Sequence, residues 1–320
     1  MYVDDFLVFS SKEKIVEAKR ELAGKYEMRN LGEVHWFLAM EITCDRVTRM
    51  ITIDQSQYIA KILECFNFGN SHPVSTPMKA NIKLPKLEAP EVDQQLYQSM
   101  LGSLMYAATR TRPDIMFAVH HLSQFSIAPG MEHLVAMQCI YQYLNRTRNL
   151  RIIYHRNWIG ENLMGFSDLD WASDSNAQRS VSGYAFILCG ATISWSAKKQ
   201  PTIALSSTEA EYMAMTHAGK EAVFLEHLFG KVGIPFSIPM TLLIDNQSTI
   251  TLVENPIFHA QTKHVNACHH WVHEKVEDGI IELEYIPMAD QTMDIFTKPL
   301  DSVKFEKFRD TLGLVPVKAC

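Results

Sequence analysis

The spacing of apolar residues in the N-terminal fifth of the chain predicts a helix, a pair of strands and a second helix. Apolar side chains recur every three or four residues over 15–26, and Ser11 stands where a helix cap is expected. Apolar and more polar residues alternate over 34–42, which is typical of a strand, and 51–53 continue the pattern as its partner. A helical spacing returns over 59–66. This segment is therefore expected to combine helix and sheet.

The periodicity stops after residue 68. Four prolines, several small polar residues and no apolar period predict a linker over 69–92. Arg110 and Arg112 stand in a break between two later helices. Three helical stretches are predicted in this part of the chain, near 93–108, 113–127 and 131–146.

The second half changes to short strand-like runs, followed by strands that alternate with helices. This order predicts a mixed sheet with helices on its faces. The strand-like runs are 151–155, 163–168, 181–189, 192–196, 240–245 and 280–286. The helices are expected at 207–231, near 262–277 and from about 290.

Composition and charge narrow the class of protein. The 320 residues are 47% hydrophobic and 21% charged, which is typical of a globular chain long enough for two domains. Residues 1–150 carry 16 basic and 16 acidic side chains, whereas 151–320 carry 14 and 20, so the net charge of −6 lies in the second half. A surface that binds nucleic acid by electrostatics alone would be basic. An acidic half fits bound cations instead, if its carboxylates converge.

Cysteines and apolar runs bear on the compartment. None of the six cysteines stands in a C-x-x-C pair, so we expect neither a zinc ribbon nor a disulfide framework. This pattern indicates a reducing intracellular setting, cytoplasmic or nuclear. The longest apolar run, near 184–189, is too short to span a bilayer, and no membrane partner is expected.

Three aspartates stand where predicted strands end or where the helix after the last strand begins. They are Asp168, Asp245 and Asp294. Polar residues at the ends of apolar strands are where α/β sheets place active sites. The alternative is that each aspartate only caps the next helix.

A fourth acidic candidate lies in "ALSSTEAEYMAM". Ser206 and Glu209 have the spacing of a capping box, which gives Glu209 a structural task. Glu211 points to another side of the helix and is the candidate for chemistry. Four gathered carboxylates repel one another unless cations neutralise them. Two Mg²⁺ ions, with Mn²⁺ as a substitute, would do so and would clamp an in-line phosphoryl displacement.

Ten motifs occur in one order along the chain. They are "MYVDD", "NLGEVHWFLAMEI", "LGSLMYAATRTRPDI", "GFSDLDWA", "SGYAFIL", "ISWSAKKQ", "ALSSTEAEY", "IDNQS", "QTKHV" and "DIFTKPL". With these motifs the chain resembles, over nearly its whole length, the C-terminal part of a copia-type LTR-retrotransposon polyprotein. In that family a reverse transcriptase precedes a ribonuclease H domain.

The resemblance implies a fold and a division into domains. The fold class is α/β (α+β): an RNase H-like mixed five-stranded sheet flanked by helices, preceded by a truncated reverse-transcriptase palm and a helical thumb or connection region. The expected domains are the palm remnant (1–68), the linker (69–92), the helical region (93–150), the ribonuclease H domain (151–304) and a C-terminal tail (305–320).

The resemblance also implies site residues. The catalytic and metal-binding carboxylates of the ribonuclease fall on Asp168, Glu211, Asp245 and Asp294, in agreement with the reasoning from strand ends and capping. Asp170 is the alternative to the first of them. The nucleic-acid contacts are expected at Lys198, Lys199, Lys263 and His264. In the thumb or connection region that the resemblance implies, Arg110 and Arg112 are expected either to face a duplex or only to punctuate a turn.

The "MYVDD" motif implies a polymerase site at the start of the chain. Asp4 and Asp5 would be two of three catalytic aspartates, and the strand that bears the third is not in this sequence. We therefore expect RNA-directed DNA polymerase activity to be lost, because the site's geometry depends on the missing elements.

The function expected from the sequence is two-metal endonucleolytic cleavage of the RNA strand of RNA–DNA hybrids. Other products of the same polyprotein are possible partners. The stretch 261–273 lacks arginines and an acid usual in the family, which would weaken phosphate contacts. The alternative is therefore a degenerate, non-enzymatic remnant that folds and binds duplexes without cutting them.

Overall fold

The computed structural model describes residues 6–80, 82–155, 163–170, 179–204, 206–234, 238–254 and 266–316. The helices are α1 (Lys12–Lys25), α2 (Ser56–Cys65), α3 (Gln94–Arg110), α4 (Met116–Ser123), α5 (Met131–Thr147), α6 (Ser207–Val232), α7 (Gln247–Glu254), α8 (Asn266–Glu277), α9 (Asp294–Thr297) and α10 (Ser302–Thr311). The strands are β1 (Trp36–Phe37), β2 (Met40–Asp45), β3 (Met50–Asp54), β4 (Leu150–His155), β5 (Met164–Asp170), β6 (Val181–Leu188), β7 (Ala191–Lys199), β8 (Met240–Ile244), β9 (Ile281–Tyr285) and β10 (Leu314–Pro316). No helix among the described residues combines the length and apolarity needed to cross a membrane.

Helix ends follow the capping residues of the sequence. The hydroxyl of Ser206 accepts a hydrogen bond from the backbone N–H of Glu209 at 3.1 Å, which confirms the predicted start of α6. The helix ends at Gly233, whose φ of 72° is in the left-handed region that favours glycine. Ser11 caps α1 through the backbone N–H of Lys14, also as predicted.

The first sheet is antiparallel throughout and has the order β1-β2-β3-β4-β10. The single strand predicted over 34–42 is wrong, because the chain turns at Leu38 and Ala39 with φ of 50° and 56°. These two residues form a tight hairpin in which Phe37 pairs with Met40.

The first sheet also includes a strand that the sequence analysis assigned to the ribonuclease H domain. β4 pairs with β3, so that Ile51 lies opposite Tyr154, and not with any strand of the second sheet. The predicted C-terminal tail continues this sheet, because Leu314 of β10 pairs with Ile152 of β4. The expectation that strand 151–155 belongs to the sheet of the second half was therefore wrong. The boundaries of the domains stay a prediction.

The second sheet has the order β7-β6-β5-β8-β9. β5, β6 and β7 are antiparallel neighbours, whereas β8 runs parallel to both β5 and β9. This is the mixed five-stranded sheet predicted for an RNase H-like fold. The carboxyl ends of its three parallel strands meet at one edge, where a site is expected.

Each face of the second sheet has its own hydrophobic cover. α6 and α8 pack on one face, where Tyr212, Met215 and Phe186 are buried. The other face contributes Phe166 and Ala185 to a core that also contains α9, α10 and the helices α3–α5. Side chains from the irregular predicted linker, including Met78 and Leu84, are buried in this same core. Full burial of each such large apolar side chain contributes about 1.5–3 kcal/mol.

Candidate active site

A cleft of about 300 Å³ opens where β5, β8 and β9 approach their carboxyl ends. Asp168 from β5, Glu211 from the second turn of α6 and Asp245 after β8 line it together. Residues that lie far apart in sequence are thus brought to one edge of the sheet. Asp170 is not among the residues that line the cleft.

Asp168 is the most deeply buried carboxyl group of the cleft. The residue is 6% exposed, and one carboxylate oxygen accepts a hydrogen bond from Thr297 Oγ1 at 2.6 Å. Burial is the main cause that raises the pKa of Asp168 to about 8, and the charges of Asp294 and Asp245 contribute to the rise, while Thr297 and Lys298 act in the opposite direction. A cation in the cleft would reverse this shift, because it favours the ionised form.

Glu211 is held by the start of the next helix. The carboxylate accepts a hydrogen bond from Asn246 Nδ2 at 2.6 Å and another from Thr249 Oγ1. The Asn246 Oδ1 atom meanwhile accepts from the backbone N–H groups of Ser248 and Thr249, which caps α7. Burial raises the pKa of Glu211, and the two side-chain hydrogen bonds partly offset this effect. The first turn of α7 therefore orients Glu211.

Asp245 follows directly after β8. Burial raises its pKa, and the charge of Asp294 adds to the rise, while Lys298 acts in the opposite direction. The three carboxyl groups of the cleft are therefore all harder to ionise than in water, chiefly because they are buried.

Asp294 is placed differently from the other three predicted acids. Its side chain is 1% exposed and does not line the cleft. One carboxylate oxygen lies 2.7 Å from Lys298 Nζ, and the other accepts a hydrogen bond from Lys304 Nζ. Its charge still acts on Asp168 and Asp245, so it lies near the cleft.

The donor set matches the chemistry of a magnesium site, but the carboxylates do not close on one point. Carboxylate oxygens are the ligands that Mg²⁺ prefers, and the charges of Asp294 and Asp245 add to the effect of burial in raising the pKa of Asp168. Within the described ranges, no three His, Cys, Asp or Glu side chains converge closely enough to hold one metal ion. The residues thus fit the cation in type, and Asp294 occupies an ion pair instead.

Close packing of α9 on the sheet places Thr297 beside Asp168. Gly183 of β6 lies opposite Asp168, and a Cβ atom on it would be 2.7 Å from the Cβ of Phe296. A hydrogen bond of 3.1 Å from Gln291 Nε2 to the carbonyl of Ser167 joins the preceding loop to β5. Only glycine allows this approach of helix and strand.

The two predicted nucleic-acid contacts within the described residues differ in their surroundings. Lys198 is exposed at the end of β7. Lys199 is half-buried: its Nζ donates to Gln124 Oε1 at 2.9 Å, and its backbone N–H donates to His120 Nε2 at 3.0 Å. Lys199 therefore joins β7 to α4 within the chain. Lys263, His264, Asp4 and Asp5 lie outside the described residues.

Arg112 does not face a duplex. It is buried, and its guanidinium donates to both carboxylate oxygens of Asp114, at 2.9 and 2.7 Å. Tyr143 donates to the same carboxylate, so the group is a closed network between helices. The turn that the sequence predicted here is therefore a buried structural contact.

Sequence reasoning missed the residues that orient the acids. Thr297 and Lys298 belong to the motif "DIFTKPL", and Asn246 belongs to "IDNQS", so their positions were available as a signal. Their role in orienting the acids could not be read from the sequence, because it depends on a partner more than 30 residues away or on the packing of α9.

Comparison with known proteins identifies the family. The family model described as reverse transcriptase (RNA-dependent DNA polymerase) matches residues 1–80. A retrovirus-related Pol polyprotein from transposon TNT 1-94 of Nicotiana tabacum is 36% identical over 98% of this chain. A transposon Ty5-1 protein of Saccharomyces cerevisiae is 33% identical and matches over 69% of this chain and 72% of its own length. The chain belongs to the copia-type family of retrotransposon Pol polyproteins.

This Pol chain corresponds to a part of its longer relatives. It spans about a quarter of the length of the plant Pol polyproteins that it matches, 24% for the tobacco protein. Among solved structures, the crystal structure of LC11-RNase H1 in complex with an RNA/DNA hybrid is similar at 12% identity and a TM-score of 0.33. The match covers 42% of the Pol chain and 94% of the other.

Proposed function

We propose that this Pol chain hydrolyses the RNA strand of RNA–DNA hybrids as a ribonuclease H. One observation carries the proposal: Asp168, Glu211 and Asp245 line one cleft at the carboxyl edge of an RNase H-like sheet. Burial and mutual repulsion raise the pKa of Asp168 to about 8, which makes the cleft a favourable place for divalent cations.

The three cleft carboxylates would hold two Mg²⁺ ions, with Mn²⁺ as a substitute and Asp294 as the fourth carboxylate. Bound cations supply polarisation of the scissile phosphate and of the attacking water. Thr297 fixes one oxygen of Asp168, and Asn246 and Thr249 fix the carboxylate of Glu211. Each hydrogen bond leaves other lone pairs of the carboxylate available to a cation. These supporting residues thus hold the acids in place before substrate arrives.

The proposed reaction is an in-line displacement at phosphorus. The oxygen of water bonds to phosphorus, the bond from phosphorus to the 3′ oxygen breaks, and the products carry a 5′-phosphate and a 3′-hydroxyl. Among the described residues proposed to bind nucleic acid, Lys198 is exposed and suited to contact the phosphate backbone. Lys199 is the weaker candidate, because its ammonium already donates to Gln124.

A cleavage assay with the purified full chain tests the proposal. We expect a labelled RNA–DNA hybrid to be cut in Mg²⁺ and left intact in EDTA. Asp245→Asn should lower the rate at least about 100-fold, since groups that merely orient metal ligands are already worth 10–100-fold. Asp290→Asn is the matched control, because Asp290 is exposed, pairs with Lys307 and does not line the cleft. Full cleavage by Asp245→Asn would contradict the assignment of this residue.

A second function is favoured by a specific observation. Asp294 is paired with two lysines, and no three acids of the described chain converge on one point. A non-enzymatic remnant that binds duplexes without cutting them would have such a site. Hybrid binding without cleavage at millimolar Mg²⁺ would support this alternative and contradict the nuclease.

A further inference from the structure

Two lysines converge on one buried carboxylate beside the cleft. Lys298 Nζ lies 2.7 Å from one oxygen of Asp294, and Lys304 Nζ donates to the other. The Asp294 side chain is only 1% exposed, whereas those of Lys298 and Lys304 are 38% and 31% exposed. A buried carboxylate is stable only when it is paired, so the ammonium groups supply the charge that Asp294 requires.

Lys298 differs from Lys304 in that its charge also acts on the carboxyl groups of the cleft. It acts on Asp168 and Asp245 as well as on Asp294, and it lowers the pKa of the first two. Burial lowers the pKa of Lys298, but Asp294, Asp168 and Asp170 outweigh it, so that the pKa is raised overall. Lys304 lies instead over the ring of Phe308, with Nζ 5.2 Å from the ring centre.

The geometry points to Lys298 as an internal counter-ion that competes with divalent cations for the acidic cluster of Asp168, Asp245 and Asp294. The inference rests on the proposed function, in that it takes divalent cations as ligands of the cleft. Asp294 begins α9 and is buried, whereas Lys298 is partly exposed and its flexible stem can carry the ammonium group to solvent. A cation that binds Asp294 would therefore displace the ammonium group outward.

Competition explains why Asp294 does not line the cleft with the other acids. As long as Lys298 helps Lys304 to neutralise Asp294, that carboxylate gains little from turning toward Asp168, whose negative charge repels it. A divalent cation carries twice the charge of the ammonium and can bridge several carboxylates, which one lysine cannot. Lys298 would thus set the cation concentration at which the four acids converge.

Binding of Mn²⁺ to the full chain, followed by the electron paramagnetic resonance of free Mn²⁺, tests the inference without any activity readout. Lys298→Met should bind Mn²⁺ about tenfold more tightly, the size expected for removal of one partly exposed charge. Lys298→Arg keeps the charge and should bind as the wild type does. Lys307→Met removes an equal charge from the neighbouring helix, where Lys307 pairs with Asp290, and should also bind as the wild type does.

Thermal unfolding gives an independent reading. Without metal, Lys298→Met should melt below the wild type, because the acidic cluster loses its counter-ion, and Mn²⁺ should raise its melting temperature more than that of the wild type. Equal Mn²⁺ affinity in Lys298→Met and the wild type, or no Mn²⁺ binding by either, would overturn the inference. Loss of hybrid cleavage with the Lys298 effect intact would contradict only the proposed function.

Discussion

The folded protein strongly raises the pKa of Asp168, one of the cleft carboxyl groups. Its pKa of about 8 in the folded protein exceeds the value of about 3.9 in an unfolded chain. A raised carboxyl pKa means that the folded state keeps this proton up to a higher pH than the unfolded chain does. The stability from this group is therefore fully present below about pH 4 and is lost as pH rises through about 8.

Asp168→Asn should remove this pH dependence. In EDTA we expect the unfolding free energy of the variant to rise relative to that of the wild type by about 1–3 kcal/mol between about pH 4 and pH 8. This is less than the free energy that corresponds to the full pKa shift, because water that enters the site relieves part of the effect of burial. Urea denaturation of both proteins across this range measures it. A difference that stays constant with pH would contradict the prediction.

At the scale of single residues, sequence reasoning found the acids but not their partners. Strand ends and the cap at Ser206 were enough to select Asp168, Asp245 and Glu211, because these signals are local. The pairing of Asp294 with Lys298 and Lys304 depends on how α9 and α10 pack, and no local pattern contains it. The catalytic role of the four acids stays a prediction.

Helix α9 does not line the cleft, but it holds one of the predicted acids and contacts another. It lies against β6 at Gly183, where a side chain would overlap Phe296 and Thr297. Since Thr297 bonds Asp168 and Asp294 begins the same helix, a small displacement of α9 would alter both acids together. Packing at one glycine therefore controls two predicted site residues.

Gly183→Ala should displace α9. We expect a loss of about 1–3 kcal/mol of unfolding free energy, as for an overpacked core, together with weaker hybrid cleavage. Gly230→Ala is the matched control: it lies within α6, its added Cβ would meet nothing within 4 Å, and it should raise stability by up to about 1 kcal/mol. Equal denaturation midpoints for Gly183→Ala and the wild type would contradict the inference that close packing at Gly183 positions α9.

At the scale of elements, periodicity and capping predicted the type and length of helices and strands well, but they did not predict which strands pair with one another. α6 begins and ends within one residue of its prediction, because Ser206 and Gly233 mark both ends. The hairpin at Leu38 and Ala39 was missed, since neither residue is among the glycines and asparagines that usually signal a two-residue turn. The strand of β4 was found but given to the wrong sheet, because alternation fixes a strand and not its neighbour.

The two halves of the molecule share one core and several polar contacts. Helices α3–α5 cover one face of the second sheet, and Trp195 Nε1 of β7 donates to the carbonyl of Ala108 in α3 at 2.8 Å. The Nε2 atom of His120 accepts the backbone N–H of Lys199, which requires a neutral imidazole. The edge strand that bears Lys198 is thus supported by the helical region, and the ordering of this edge depends on both halves.

His120 makes that support sensitive to acid. Burial lowers its pKa to about 4, and the nearby charges of His121, Lys198 and Lys199 contribute. The unfolded chain takes up a proton near pH 6.5, so the stability from this group is present above that value and is lost as pH falls to about 4, by up to about 3 kcal/mol. His120→Gln keeps an acceptor and cannot titrate, so its unfolding free energy should fall less than that of the wild type between about pH 7 and pH 4.5. Parallel stability curves for the two proteins would show that the contact between β7 and α4 does not depend on the charge of His120.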